Sequence, residues 1–119
     1  MATILLVDDH QSMRELYTYL LTQRGHTVLC AENGKTALAI LAREEIDLVI
    51  TDINMPEKNG YEFLMELKQF PSRVPVIAMT DKIEAQDYLH IARRLGAAAS
   101  YCKDEPHTRF LELVDEFVA

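Results

Sequence analysis

Five short apolar runs, each followed by a stretch of helical spacing, constrain this chain more than any other feature. The runs are Thr3–Val7, Thr27–Cys30, Leu48–Thr51, Val74–Met79 and Ala98–Cys102. Steady alternation of strand and helix signals implies a parallel sheet with helices on both faces. ILLV, LVI and VPVIAM are nearly continuous apolar runs, as expected of strands covered on both sides. TVLC is short and AAASYC is small and partly polar, which suits the sheet edges. Right-handed crossovers with the second and fifth strands outermost then leave the order 2-1-3-4-5. The expected fold is α/β: a five-stranded parallel sheet flanked by five helices, doubly wound in the flavodoxin-like manner.

The helices have their own punctuation. Ser12 and Glu15 read as a capping box opening the first, which Gly25 closes and whose apolar stripe includes Leu16, Tyr19 and Leu20. The second starts after Asn33 and carries Ala37, Leu38 and Leu41. The third follows Gly60 with Phe63, Leu64 and Leu67 and stops before Pro71. Asp81 and Glu84 resemble a capping box for a fourth, with Tyr88, Ile91, Ala92 and Leu95, ending at Gly96. The fifth starts near Pro106, a residue favoured at the first helical position, and carries Phe110, Leu113, Val114 and Phe117.

Composition narrows the function. At 119 residues and 49% hydrophobic content, the chain is read as one domain, 1–119, with no linker or second unit. A net charge of −7 argues against unaided binding to DNA or to anionic membranes, which attract basic surfaces. No apolar run approaches the length of a membrane span, and no signal peptide is present. Cys30 and Cys102 lack metal-site spacing and fall in predicted strands, so they are expected to be buried free thiols in a reducing cytoplasm.

The chemistry gathers where the strands run out. Asp8 and Asp9 follow ILLV, Asp52 and Asn54 follow DLVIT, and Asp81 follows VIAMT. Open α/β sheets bind ligands at the carboxyl ends of their strands, where the strand order reverses. Here the reversal falls between the first and third strands, so Asp8, Asp9 and Asp52 share the crevice. Two carboxylates roughly 5 Å apart repel by about 3 kcal/mol at an effective dielectric near 20. A hard cation such as Mg²⁺, which takes oxygen ligands, relieves that repulsion.

The set VDDH at 7–10, TDINMP at 51–56, Gly60, Thr80 and Lys103 resembles a response-regulator receiver domain, the phosphoacceptor module of two-component signalling. The likeness runs over essentially the whole chain and is to a single-domain, chemotaxis-regulator-like receiver. It implies that Asp52 takes a phosphoryl group from a histidine of a sensor kinase or phosphotransfer protein. It also implies that Asp9, Asp52 and the backbone carbonyl of Asn54 hold Mg²⁺, with Asp8 acting largely through a bound water. Lys103 and Thr80 are expected to contact the phosphoryl group, while Met55, Pro56 and Gly60 shape the loop. The output would be a protein-binding surface on the fourth helix, fifth strand and fifth helix, read by a downstream protein or by an output domain absent from this chain.

Several positions depart from the family pattern. Asp81 stands where Ala or Gly is usual; it is read as an outward helix cap, the alternative being a carboxylate turned into the site. Lys82 could pair with it. The position of the family's switch aromatic, three before the lysine, is Ser100, and Tyr101 lies on the opposite strand face. Asp104 replaces a commoner proline. These departures motivate a second reading, a receiver-like binding module with no phosphate response. A third, a haloacid-dehalogenase-type phosphohydrolase, wants a second aspartate where Asn54 stands. His10 is read as a solvated loop histidine, the alternative being that it coordinates or contacts the site, and His26, His90 and His107 form no pattern.

Overall fold

The structure, a computed structural model, describes residues 1–53, 60–67, 74–80, 94 and 96–118. Within them the chain runs β1 (Thr3–Val7), α1 (Gln11–Gln23), β2 (Thr27–Ala31), α2 (Gly34–Leu41), β3 (Leu48–Asp52), α3 (Gly60–Leu67), β4 (Val76–Thr80), β5 (Ala99–Cys102) and α4 (His107–Val118). Every strand pairing is parallel, and the order is β2-β1-β3-β4-β5, as the sequence predicts. Four helices lie among the described residues. The stretch expected at 81–95 falls outside them except for Arg94, so α4 corresponds to the fifth expected helix.

Alternating strand residues feed two cores. Leu5, Val7, Val49 and Ala78 point to one face, where they meet Ala37 and Ile40 of α2 and Phe63 and Leu64 of α3. Ile4, Leu6, Leu48, Ile50, Ile77, Met79 and Tyr101 point to the other, against Tyr17 and Leu21 of α1 and Phe110, Leu113 and Val114 of α4. Because both faces are covered, β3 and β4 are buried at every residue. The Phe110 ring sits at the centre of the second core, 4.7 Å from the Tyr17 ring and 5.4 Å from that of Tyr101.

Local chemistry corrects several expectations. Ser12 does not cap α1: the helix already begins at Gln11, behind His10, and no side chain caps it. The Asp8 carboxylate accepts the His10 amide at 3.0 Å and turns the chain into the helix early. The apolar stripe of α1 is Tyr17 and Leu21 with Met13 and Leu20 beside them, not Tyr19, which is 61% exposed. Two residues turn a helix by roughly 200°, so Tyr19 must face away from Tyr17. β4 starts at Val76 rather than Val74, since Pro75 has no amide to give the ladder and contributes only its carbonyl, accepted from Val49. Cys30 is exposed and Cys102 half-buried, because both lie on edge strands with a thinly covered face; both are free thiols.

Other signals hold. Gly25 ends α1 with φ +86, a left-handed conformation that glycine adopts without strain. The Asn33 side chain caps α2 by accepting the Thr36 amide at 2.8 Å. Among the described residues, no helix is long and apolar enough to cross a membrane.

Two measurements test this packing. Phe110→Ala removes a fully buried ring shared by two tyrosines and is expected to lower unfolding free energy by about 3–5 kcal/mol in urea titration. His26 tests the N-terminal edge. Its Nδ1 accepts the Ala2 amide at 3.2 Å, and burial, then the N-terminal ammonium, lower its pKa. Above the unfolded value of 6.5 both states are neutral and the residue adds no pH dependence. As pH falls through 6.5 the unfolded chain takes the proton first, so stability drops. His26→Gln should flatten that part of the stability profile, and an unchanged slope would contradict the assignment.

Candidate functional site

The register of the sheet builds the site. Val7 pairs with Thr51, Asp52 with Met79, and Thr80 with Cys102, so the strand ends lie nearly level. The next residue beyond β1 is Asp8, whose amide extends the β2 ladder by donating to Ala31 at 3.0 Å. Asp8 and Asp52 therefore emerge side by side at the point where the chain turns from one half of the sheet to the other. Both are buried, at 0% and 3% exposure.

Lys103 joins them. Its ammonium donates to Asp8 Oδ2 at 2.6 Å and to Asp52 Oδ2 at 3.0 Å, with only 6% of the side chain exposed. The lysine is aimed from just past β5: its amide donates to the Thr80 carbonyl at 2.7 Å, and Glu105 Oε2 accepts the Cys102 amide at 2.9 Å. Burial works against the lysine's charge, but Asp52 and then Asp8 outweigh it, and the pKa rises above the ordinary lysine value. Thr80, the last residue of β4, is 2% exposed at the same edge.

Asp9 completes the acidic group. Its Oδ1 is buried and has no hydrogen-bond partner among the described residues. One ligand atom from each of Asp8, Asp9, His10 and Asp52 lies within 4.8 Å of the others. Among the described residues three carboxylates thus face a single ammonium, a deficit of two positive charges that a divalent cation matches. An orphaned buried oxygen beside two further carboxylates is what a hard divalent cation uses. The residues present fit such an ion.

Sequence reasoning missed two contributors, Arg14 and Tyr17, and gave a site contact by His10 only as the alternative. His10, expected to be solvated, is 57% exposed but stands 3.1 Å from Asp9 Oδ1 and 3.4 Å from Asp8 Oδ1. Arg14 reaches back one turn and donates to the Asp8 carbonyl at 2.7 Å, fixing the turn that presents the acids. Tyr17 lies beneath them. Burial, then Tyr101 and Asp8, raise its phenol pKa, so it stays neutral. The signal for His10 was its place directly after the two acids; Arg14 and Tyr17 gave none beyond helical spacing. Asn54, Met55, Pro56, Asp81 and Lys82 lie outside the described residues. Ser100 is half-buried, while Tyr101 is buried on the α1 and α4 side, its hydroxyl donating toward the Glu105 and Pro106 carbonyls at 2.8 and 3.2 Å.

Comparison with known proteins agrees with this geometry. The family model for the response regulator receiver domain matches residues 4–115. The chain belongs to the response-regulator receiver domains. Regulatory protein AtoC of Escherichia coli is 38% identical over 94 residues, covering 79% of this chain and 20% of AtoC. This receiver thus spans about a fifth of that relative. Among solved structures, response regulator TrrA of Thermotoga maritima, in complex with Mg²⁺ and BeF, superposes with a TM-score of 0.87 at 30% identity, covering 98% of this chain and 99% of TrrA. Chemotaxis response regulator CheY4 of Vibrio cholerae gives 0.86 at 26%, covering 98% of each chain. The receiver is a signalling module of two-component systems, and its acidic pocket is of the type that holds Mg²⁺ in this family.

The ion pair makes a direct prediction. In chelator, Lys103→Ala leaves two buried carboxylates facing each other, and unfolding free energy should fall by about 3–5 kcal/mol in urea titration. A loss below about 1 kcal/mol, the range of a surface pair, would show that the lysine contributes little.

Proposed function

We propose that Asp52 is the phosphoacceptor of this receiver, taking a phosphoryl group from the phosphohistidine of a sensor kinase or phosphotransfer protein. The observation that carries this reading is the Asp52 carboxylate, 3% exposed at the end of β3 and held by Lys103 at 3.0 Å between the strand ends. A carboxylate oxygen of Asp52 forms the new P–O bond as the P–N bond breaks, and the electron pair stays on the leaving imidazole nitrogen. The Lys103 ammonium, now shared by two carboxylates, is placed to follow the added charge onto a phosphoryl oxygen. Thr80 stands at the adjacent strand end, where its hydroxyl can meet another oxygen.

Asp9, Asp52 and the Asn54 carbonyl would hold Mg²⁺, with Asp8 helping through a bound water. The ion would supply charge neutralisation at the reacting phosphoryl oxygens. The division of labour between the two N-terminal acids is supported by their partners. Asp8 is engaged by Lys103 and the His10 amide, while Asp9 keeps a buried oxygen unpartnered among the described residues. No other reaction is assigned: the chemistry is transfer onto Asp52 and later hydrolysis of the acyl phosphate.

Residues 1–119 form one receiver unit in this reading, acting in the cytoplasm, where two free thiols stay reduced. Its outputs are a downstream protein or an output domain outside this chain. A second reading, a module that binds partners without responding to phosphate, is favoured by Tyr101: its buried ring and bonded hydroxyl offer no free rotor at β5.

Acetyl phosphate with Mg²⁺ separates the two readings. Mass spectrometry should find one phosphoryl group on the wild type and none on Asp52→Asn, and amide shifts should change beyond the pocket on phosphorylation. Phosphate on a histidine would overturn the choice of Asp52, and phosphorylation confined to pocket shifts would favour the second reading. Asp9→Ala should weaken Mg²⁺ binding more than Asp8→Ala; equal affinity in Asp9→Ala and wild type would contradict the assignment.

A further inference from the structure

We infer that His10 is a nitrogen ligand to the divalent cation of this pocket, and that it tilts the site toward imidazole-preferring ions such as Co²⁺, Ni²⁺ and Zn²⁺. This deepens the reading that the acidic cluster binds a divalent cation and rests on it.

The argument starts from donor spacing. Metal–ligand bonds of about 2.1 Å place neighbouring ligands of an octahedral ion roughly 3.0 Å apart and opposite ligands roughly 4.2 Å apart. His10 Nδ1 stands 3.1 Å from Asp9 Oδ1 and 3.4 Å from Asp8 Oδ1, and the full donor set with Asp52 fits within 4.8 Å. The two His10 separations are those of neighbouring ligands on one small ion, and the wider set needs only a small inward shift to share it. A direct hydrogen bond would explain the 3.1 Å contact without an ion, yet Asp9 Oδ1 has no hydrogen-bond partner among the described residues. A ring nitrogen and a buried carboxylate oxygen at this distance, with no hydrogen bond between them, suit a cation that bridges the two.

The backbone holds the imidazole there. The His10 amide donates to Asp8 Oδ1, and the Asp8 carbonyl accepts from Arg14, so residues 8–10 form one closed turn. Lys103 takes the other oxygen of Asp8, Oδ2, leaving the Oδ1 side to His10. Nδ1 is the ring nitrogen turned toward the acids, so it is the one placed to ligate, with Nε2 then carrying the ring proton. Half the side chain is in solvent, so binding needs little desolvation of the ring.

Chemistry then sets selectivity. Carboxylates alone suit Mg²⁺ and Mn²⁺, whereas an added imidazole favours the later first-row ions. An imidazole that merely hydrogen-bonded a carboxylate ligand would support every cation alike. That difference separates a ligand from a bystander.

The test titrates the apo wild type, His10→Ala and His10→Gln with Mg²⁺ alone and with Co²⁺ alone, by calorimetry, and records proton spectra of the Co²⁺ forms. Both replacements lie at a largely exposed side chain and keep the backbone bonds, and circular dichroism checks that they fold. Co²⁺ affinity should fall at least about tenfold in both variants while Mg²⁺ affinity stays within about twofold. The wild-type Co²⁺ form should show a strongly shifted, exchangeable imidazole N–H resonance that both variants lack. Equal losses for the two ions, no loss for either, or a shifted resonance that survives His10→Ala and so belongs to another histidine would each overturn the inference while leaving the cation site standing. Failure of the wild type to bind either ion would overturn the cation reading itself, and this inference with it.

Discussion

One ammonium between two buried carboxylates organises this receiver. Lys103 can reach Asp8 and Asp52 only because β1, β3, β4 and β5 end nearly in register, and because the turn after β5 sends its side chain back across the strand ends. The strand order puts β1 beside β3, so the two acids meet although 44 residues separate them in sequence. Shifting any of these strands by one residue would turn its apolar side chains to the other face and carry its acid or its lysine out of the crevice. The two cores and the site are thus held by the same register.

That arrangement costs stability. Burying like charges side by side is tolerated through the lysine, through the His10 amide on Asp8 and through the Arg14 bond that fixes the turn. Removing a single partner leaves a buried charge uncompensated, so substitutions in the pocket are expected to cost more than those on the surrounding surface. The same imbalance, three carboxylates against one ammonium among the described residues, makes the strand ends the type of pocket that holds Mg²⁺ in this family.

Much of this was legible in the sequence, for identifiable reasons. Nearly continuous apolar strands can only be covered on both faces, so ILLV and DLVIT declared a central position and, with it, the strand order. Acids directly after such strands had to emerge at the ligand-binding edge. What failed was side-chain detail that depends on partners distant in sequence. Ser12 looked like a cap because only local spacing was visible, whereas the Asp8 carboxylate closes the turn two residues earlier. Tyr19 fitted a helical stripe, but the strands beneath α1 select the Tyr17 and Leu21 side. The cysteines looked buried because strands often are, yet edge strands leave one face thinly covered.

Tyr101 shows how far the family pattern carries. In strand order it follows the position where a mobile aromatic is expected, so its ring points to the α1 and α4 core instead of the opposite face. There it touches Phe110 and is wholly buried. Its hydroxyl donates to the Glu105 or Pro106 carbonyl, at the entrance to α4. Swinging that ring out would expose its full apolar surface, about 2 kcal/mol or more, and break its hydroxyl's bond to the turn. The ring is therefore a strut that ties β5 to the start of α4. Lys103 lies two residues beyond it, on the turn that the strut braces. A change in what Lys103 holds would be passed to α4 through displacement of this turn, with Tyr101 moving as part of it and not as an independent rotor.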